Sequence, residues 1–70
     1  MAHGHIAESI RSARIASGLT QSAVARELGV DQSSISDWER GEATPKVTNV
    51  IRLAALFGIP VDQLLGEVAA

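Results

Sequence analysis

Apolar residues recur along the chain at helical spacing, in stretches separated by glycine-bearing breaks. Ile6, Ile10 and Ala13 step at i, i+4 and i+7 and predict a first helix over 6–17, with Gly18 ending it and Leu19 returning to the core. Thr20 is an N-cap residue, and Val24, Ala25 and Leu28 predict a second helix over 21–28, closed by Gly29. Asp31 is the next N-cap candidate, its charge matching the positive end of a third helix over 32–40. Ile35 and Trp38 form the inner face of that helix, and Gly41 stops it. Thr44 is held extended by Pro45. A fourth helix over 46–57 buries Val47, Val50, Leu53, Ala54 and Phe57, widened by Ile51 and Leu56. Gly58 ends it, Ile59 packs inward, and Pro60 opens a fifth helix with Val61, Leu64 and Leu65 inside and Gly66 at its end. Ile15 lies off every stripe and is expected on the surface. The pattern predicts an all-α fold of five helices.

Within that pattern, Thr20 to Gly41 is distinctive: two short helices around a glycine turn, the second with a small, polar outer face of Gln32, Ser33, Ser34, Ser36 and Asp37. That is the layout of a helix-turn-helix, whose second helix enters the DNA major groove. Residues 1–5 read as a disordered N-terminal arm or expression scar, 6–66 as the domain and 67–70 as a short tail.

Seventy residues suffice for one domain with a marginal core, which makes help from oligomerisation reasonable. Cysteine is absent, so disulfides and thiolate metal sites are excluded. The first residues form no signal peptide and no apolar run reaches a membrane span, so a cytoplasmic location is expected. Both histidines lie in the arm. Met-Ala-His at a free amine could chelate copper or nickel, but removal of the initiator Met would spoil the register, so His3 and His5 are read as solvated and no metal or cofactor is expected. No paired acids in a pocket and no Gly-rich phosphate loop speak for an enzyme. The net charge of −2 runs against non-specific nucleic-acid binding, which rests on phosphate neutralisation. Local charge therefore decides, and Arg14, Arg40 and Lys46 are the cations placed around the two-helix unit.

Residues 6–66 resemble the Cro/repressor-type (XRE) helix-turn-helix family. The resemblance is carried by Ile6, Ile10, Arg11 and Arg14 in the first helix, Gly18 to Gln21, Leu28 to Val30, and Ser34, Ile35, Ser36, Trp38, Glu39, Arg40 and Gly41. It continues through Pro45, Leu53, Ala54 and the run Gly58 to Leu65. No one piece is specific; their common register over sixty residues is. The resemblance implies a five-helix, lambda-repressor-like DNA-binding domain, in most members a regulator that dimerises. It implies that Gln21 meets a backbone phosphate and braces the third helix, and that Arg14 and Glu39 form an ion pair between the first and third helices. Such a pair, if exposed, would be worth less than about 1 kcal/mol. Departures are Ala13, where relatives often have leucine, Ile15, where they often have a charge, and the acids Asp31, Asp37 and Glu42 on the DNA side.

The remaining roles follow from side-chain chemistry. Gln32, at the first turn of the third helix, can pair with adenine N6 and N7, and Asp37 can accept from cytosine N4. Ser33 and Ser36 complete the base-reading set. Arg14, Arg40, Lys46 and Gln21 are the phosphate candidates. Trp38, three residues from Ile35, is read as core rather than as a stacking platform. Ile59, Val61, Leu65 and Val68 are expected at a dimer interface. The expected function is a sequence-specific DNA-binding transcriptional regulator, a repressor, acting as a homodimer on a near-palindromic double-stranded operator. The alternative is a protein-interaction module on the same fold, such as an antitoxin or adaptor, which the acidity and Ile15 favour.

Overall fold

The computed structural model describes residues 2–66, with side chains from Ile6 onward. Its elements are α1 (Ala2–Ala16), α2 (Gln21–Leu28), α3 (Gln32–Arg40), α4 (Val47–Phe57) and α5 (Val61–Leu65). Among the described residues all regular structure is helical. No helix there is long and apolar enough to cross a membrane.

The core is assembled from one face of each helix. Ile10, Val24, Ile35, Leu53 and Leu64 are its fully buried members, one from each of the five. Ile6, Ala25, Leu28, Trp38, Val50 and Ala54 close the shell around them. The longest helix, α1, packs against α3, α4 and α5, while α2 is wedged between α3 and α4. Trp38 is 6% exposed, which leaves its ring no face for a base.

Local chemistry sets the helix boundaries. The Thr20 hydroxyl accepts from the Ala23 amide at 3.0 Å, satisfying a donor that the start of α2 leaves free. At Gly29 the chain turns left-handed (φ 71°), and the Val30 amide reaches back to the Ala25 carbonyl at 3.0 Å. This glycine-closed helix end makes the turn into α3 tight. Asp31 occupies the N-cap position of α3, but its carboxylate makes no capping bond; its backbone carbonyl receives the Ser34 amide instead.

Several sequence-based expectations shift. The first helix begins at Ala2, not at residue 6, and runs through Gly4, whose cost inside a helix is only about 1 kcal/mol. The side chains of His3 and His5 lie outside the described residues, as do residues 67–70. Ala7 joins the core at 6% exposure while Ala13 stays only half-buried, because the short Ala13 and Ala16 side chains do not reach α4 and α5. The space they leave is a groove of about 520 Å³ floored by Phe57 and Ile59. Val47 is 72% exposed and Ile51 50% exposed, so neither belongs to the buried face of α4. Pro45, just before α4, is buried instead. Pro60 is the N-cap of α5 rather than its first residue. Ile15 is on the surface at 58% exposure.

Candidate nucleic-acid interface

Packing against α1 and α2 fixes which side of α3 remains outside. Ile35 and Trp38 turn inward, and Gln32, Ser33, Ser36, Asp37 and Arg40 fall on a continuous outer stripe. Gln32, Ser33 and Arg40 are exposed, and Ser36 and Asp37 are partly so. The stripe contains donors, acceptors and no bulky apolar group, which suits the edges of base pairs.

The stripe is anchored from beneath by a network that begins at Arg14. Its Nε donates to Glu39 Oε2 at 2.6 Å and its Nη2 to Glu39 Oε1 at 3.1 Å, a bidentate pair between α1 and α3. Its Nη1 donates to the Leu19 carbonyl at 2.9 Å, just before α2. The Arg14 and Glu39 side chains are only 15% and 4% exposed. The exposed-pair estimate of below about 1 kcal/mol is therefore too low, and this partly buried pair lies between it and the about 3–5 kcal/mol lost when one partner of a fully buried pair is removed. The side-chain hydrogen bond to Glu39 raises the already high pKa of Arg14. With Nε and both η nitrogens bonded inside the protein, the Arg14 guanidinium faces inward rather than toward a phosphate.

Gln21 extends this network to the surface. Its Nε2 donates to Glu39 Oε1 at 3.1 Å, and its Oε1 accepts from Gln32 Nε2 at 3.4 Å. Ser22 Oγ donates to Gln32 Oε1 at 2.8 Å. Gln32 is thus held on both sides of its carboxamide by the first turn of α2. The direction of these bonds fixes which amide atom faces which neighbour.

A second cluster lies at the other end of the stripe. Arg40 Nη2 meets Asp37 Oδ1 at 2.6 Å and Glu42 Oε1 at 3.1 Å, and its Nη1 donates to Ser36 Oγ. These groups are open to water, with side-chain exposures of 53%, 42% and 62% for Arg40, Asp37 and Glu42. The hydrogen bond from Arg40 holds the Glu42 carboxyl below its ordinary range, and Glu42 in turn raises the Arg40 pKa. Lys46 is exposed at the N-cap of α4, and its ammonium has no partner among the described residues.

The structure thus joins Arg14, Glu39, Gln21 and Gln32 in one network and Ser36, Asp37 and Arg40 in another. Ser33 and Lys46 are exposed and belong to neither network. Ile59, Val61 and Leu65 are half-buried around the α4–α5 turn, packed against the core, and Val68 lies outside the described residues. Two contributors escape sequence reading. Ser22 is one, signalled only by its place beside Gln21. Arg52 is the other: its Nη1 and Nη2 donate to the Leu28 and Glu27 carbonyls at 2.9 and 3.1 Å, capping α2 from α4 and bracing the turn into α3. Among the described residues no group of His, Asp and Glu side chains is arranged to hold a metal ion.

Two stacked helices, a glycine turn and a free polar face on the second helix define a helix-turn-helix domain. The helix-turn-helix family model matches residues 10–64, and the chain belongs to that family, in its XRE (Cro/repressor) branch of DNA-binding regulators. It is 33% identical over 58 residues to the cryptic phage CTXphi transcriptional repressor RstR of Vibrio cholerae, a match covering 83% of this chain and 52% of RstR. It is 31% identical over 58 residues to the HTH-type transcriptional activator BcrR of Enterococcus faecalis, covering 83% of this chain and 28% of BcrR. The chain thus spans about half the length of one of these relatives and about a quarter of the other. Among solved structures, the restriction-modification controller protein C.AhdI of Aeromonas hydrophila superposes with a TM-score of 0.81 at 29% identity, over 89% of this chain and 94% of that one.

Proposed function

We propose that this chain is the DNA-binding domain of a sequence-specific transcriptional repressor, that it acts as a homodimer, and that α3 enters the major groove. The observation that carries this reading is the preset Gln32 carboxamide, held by Gln21 and Ser22 at the exposed first turn of α3. A fixed amide plane at that position suits bidentate pairing with adenine, at little entropic cost on binding. Ser33, Ser36 and Asp37 complete the base-facing set. Gln21, Lys46 and Arg40 supply backbone contacts, and Arg14 acts by fixing Glu39 and the start of α2.

Repression is favoured over activation because RstR, the relative that covers more of its own length, is a named repressor. Two copies joined through Ile59, Val61, Leu65 and Val68 would present two α3 helices to successive major grooves, about 34 Å apart, on a near-palindromic site. Such a protein works where the DNA is, in the cytoplasm. A second reading, a protein-interaction module, draws on exposed Ile15, Val47 and Ile51.

The test is a fluorescence-anisotropy titration with duplex DNA from upstream of the gene and a shuffled duplex of equal composition. Tighter, salt-sensitive binding to the native duplex is expected. Failure to bind either duplex at low salt would overturn the DNA reading in favour of a protein partner.

A further inference from the structure

The Asp37–Arg40–Glu42 cluster does more than decorate the end of α3, and its geometry is imposed by the backbone. Residues two apart do not face each other on a continuing helix. Gly41 breaks that rule: at φ 74° it reverses the chain, and the Glu42 amide donates to the Asp37 carbonyl at 2.9 Å. The fold-back sets Glu42 over the last turn of α3, where its carboxylate and that of Asp37 reach the same Arg40 nitrogen. One cation between two anions leaves the trio at a net charge of −1 (+1 − 2) where a phosphate contact would need positive charge.

Building on the DNA-binding reading above, we infer that this trio is a selectivity latch, in which Glu42 and Asp37 withhold Arg40 from phosphate until a target site offers Asp37 a replacement donor. On unrelated DNA, Arg40 can reach a phosphate only by leaving two carboxylates unpaired beside other phosphates. At a site that places a cytosine N4 amine opposite Asp37, the carboxylate gains a partner as Arg40 departs. Glu42 then weakens binding to wrong sequences more than to the right one, a repulsive element of specificity. High exposure of all three side chains keeps the exchange fast and reversible.

The latch is tested on the whole chain with a random-sequence duplex, comparing wild type, Glu42→Gln, Arg40→Ala and the double variant across a salt series, with circular dichroism to check the fold. Glu42→Gln should tighten binding roughly two- to five-fold at low salt. It should also steepen the salt slope by about 0.9, the value of one added phosphate contact. In the Arg40→Ala background the same substitution should change neither. An equal effect in both backgrounds would mean simple charge repulsion and overturn the latch, as would no effect in either, while leaving the DNA reading intact. Absence of binding by wild type and by Glu42→Gln alike overturns the DNA reading itself.

Discussion

On its inner side α3 sends Glu39 to Arg14 with contacts of 2.6 and 3.1 Å; on its outer side Arg40 meets Asp37 and Glu42 at the same two distances. Bond length does not separate the two clusters, but water does. The Glu39 side chain is 4% exposed, whereas those of the outer trio are 42–62% exposed. The inner carboxylate has exchanged its hydration for three protein donors, two from Arg14 and one from Gln21. That satisfies a group that would otherwise be very costly to bury. The outer groups keep solvent as an alternative partner, so their pairing is weak and replaceable. The inner cluster is a fixture of the fold, and the outer one is available to a ligand.

The largest effect should come from breaking the inner cluster. Glu39→Ala leaves the largely buried Arg14 guanidinium without a counter-ion and should lower stability by about 3 kcal/mol. For a domain of this size that is a fall in melting temperature of more than about 10 °C, read by thermal circular dichroism. The joint replacement Arg14→Met with Glu39→Leu should be markedly less harmful than either single change, because it removes both charges. A melt of Glu39→Ala within a degree or two of wild type would show that the inner cluster is no more structural than the outer one.

Next comes Gln32, the point where the inner network reaches the surface. Gln32→Ala should leave the melting temperature nearly unchanged and reduce discrimination between target and shuffled DNA by about 1–3 kcal/mol, or 5- to 150-fold. Unchanged preference would remove Gln32 from the base-reading set. Gln21→Ala separates the two roles further: it should loosen Gln32 and lower discrimination less than Gln32→Ala does, while also withdrawing one donor from Glu39. Comparing the melts of these two variants asks how far the buried pair and the reading residue depend on each other.

These contrasts explain what could be read from the chain beforehand. The five helices were legible because apolar residues recur at helical spacing within them, as Ile6 and Ile10, Val24 and Leu28, Ile35 and Trp38, and Val50, Leu53 and Ala54 do, and a glycine follows each helix. Helical periodicity could not tell that α4 leaves Val47 and Ile51 in solvent, since the face a helix buries depends on where its neighbours end. The positions of Gln32, Ser36 and Asp37 on one outer stripe followed from the helix period alone. The partners of Arg40 did not follow, because Glu42 reaches it only through the chain reversal at Gly41. The burial of Arg14 and Glu39 was equally hidden: a residue type cannot report that three elements converge on it. Arg52 was invisible for the same reason, its partners being carbonyls 24 and 25 residues away.

Arg40→Ala should weaken binding to the target duplex and flatten its salt slope by about one, while binding to a random-sequence duplex, on which Arg40 is withheld, changes little. Its melting temperature should stay close to that of wild type, because the side chain it removes is open to water. A slope on the target duplex equal to that of wild type would deny Arg40 any phosphate, and the outer cluster would then be ornamental.

The smallest effect concerns acid. Arg40 lowers the Glu42 pKa in the folded chain, so folding favours the ionised carboxylate. The resulting stabilisation is fully present above the ordinary carboxylate range and is lost as the pH falls through the lowered folded value. In acid the pair therefore contributes nothing, and the protein is no more stable there than it would be without it. Because Glu42 is well exposed, the contribution is small, and the comparison must be differential: wild type against Glu42→Gln, melted at pH 7 and again near pH 3. The gap between the two proteins should be slight at pH 7 and narrow toward the lower value, as Glu42 takes up its proton. The same pair of melts with Arg40→Ala should show no closing gap, since Glu42 then returns to the ordinary range in both states. A gap that widens in acid would mean that the folded chain favours the protonated Glu42 carboxyl, and the ion pair with Arg40 would then not be what distinguishes the outer cluster.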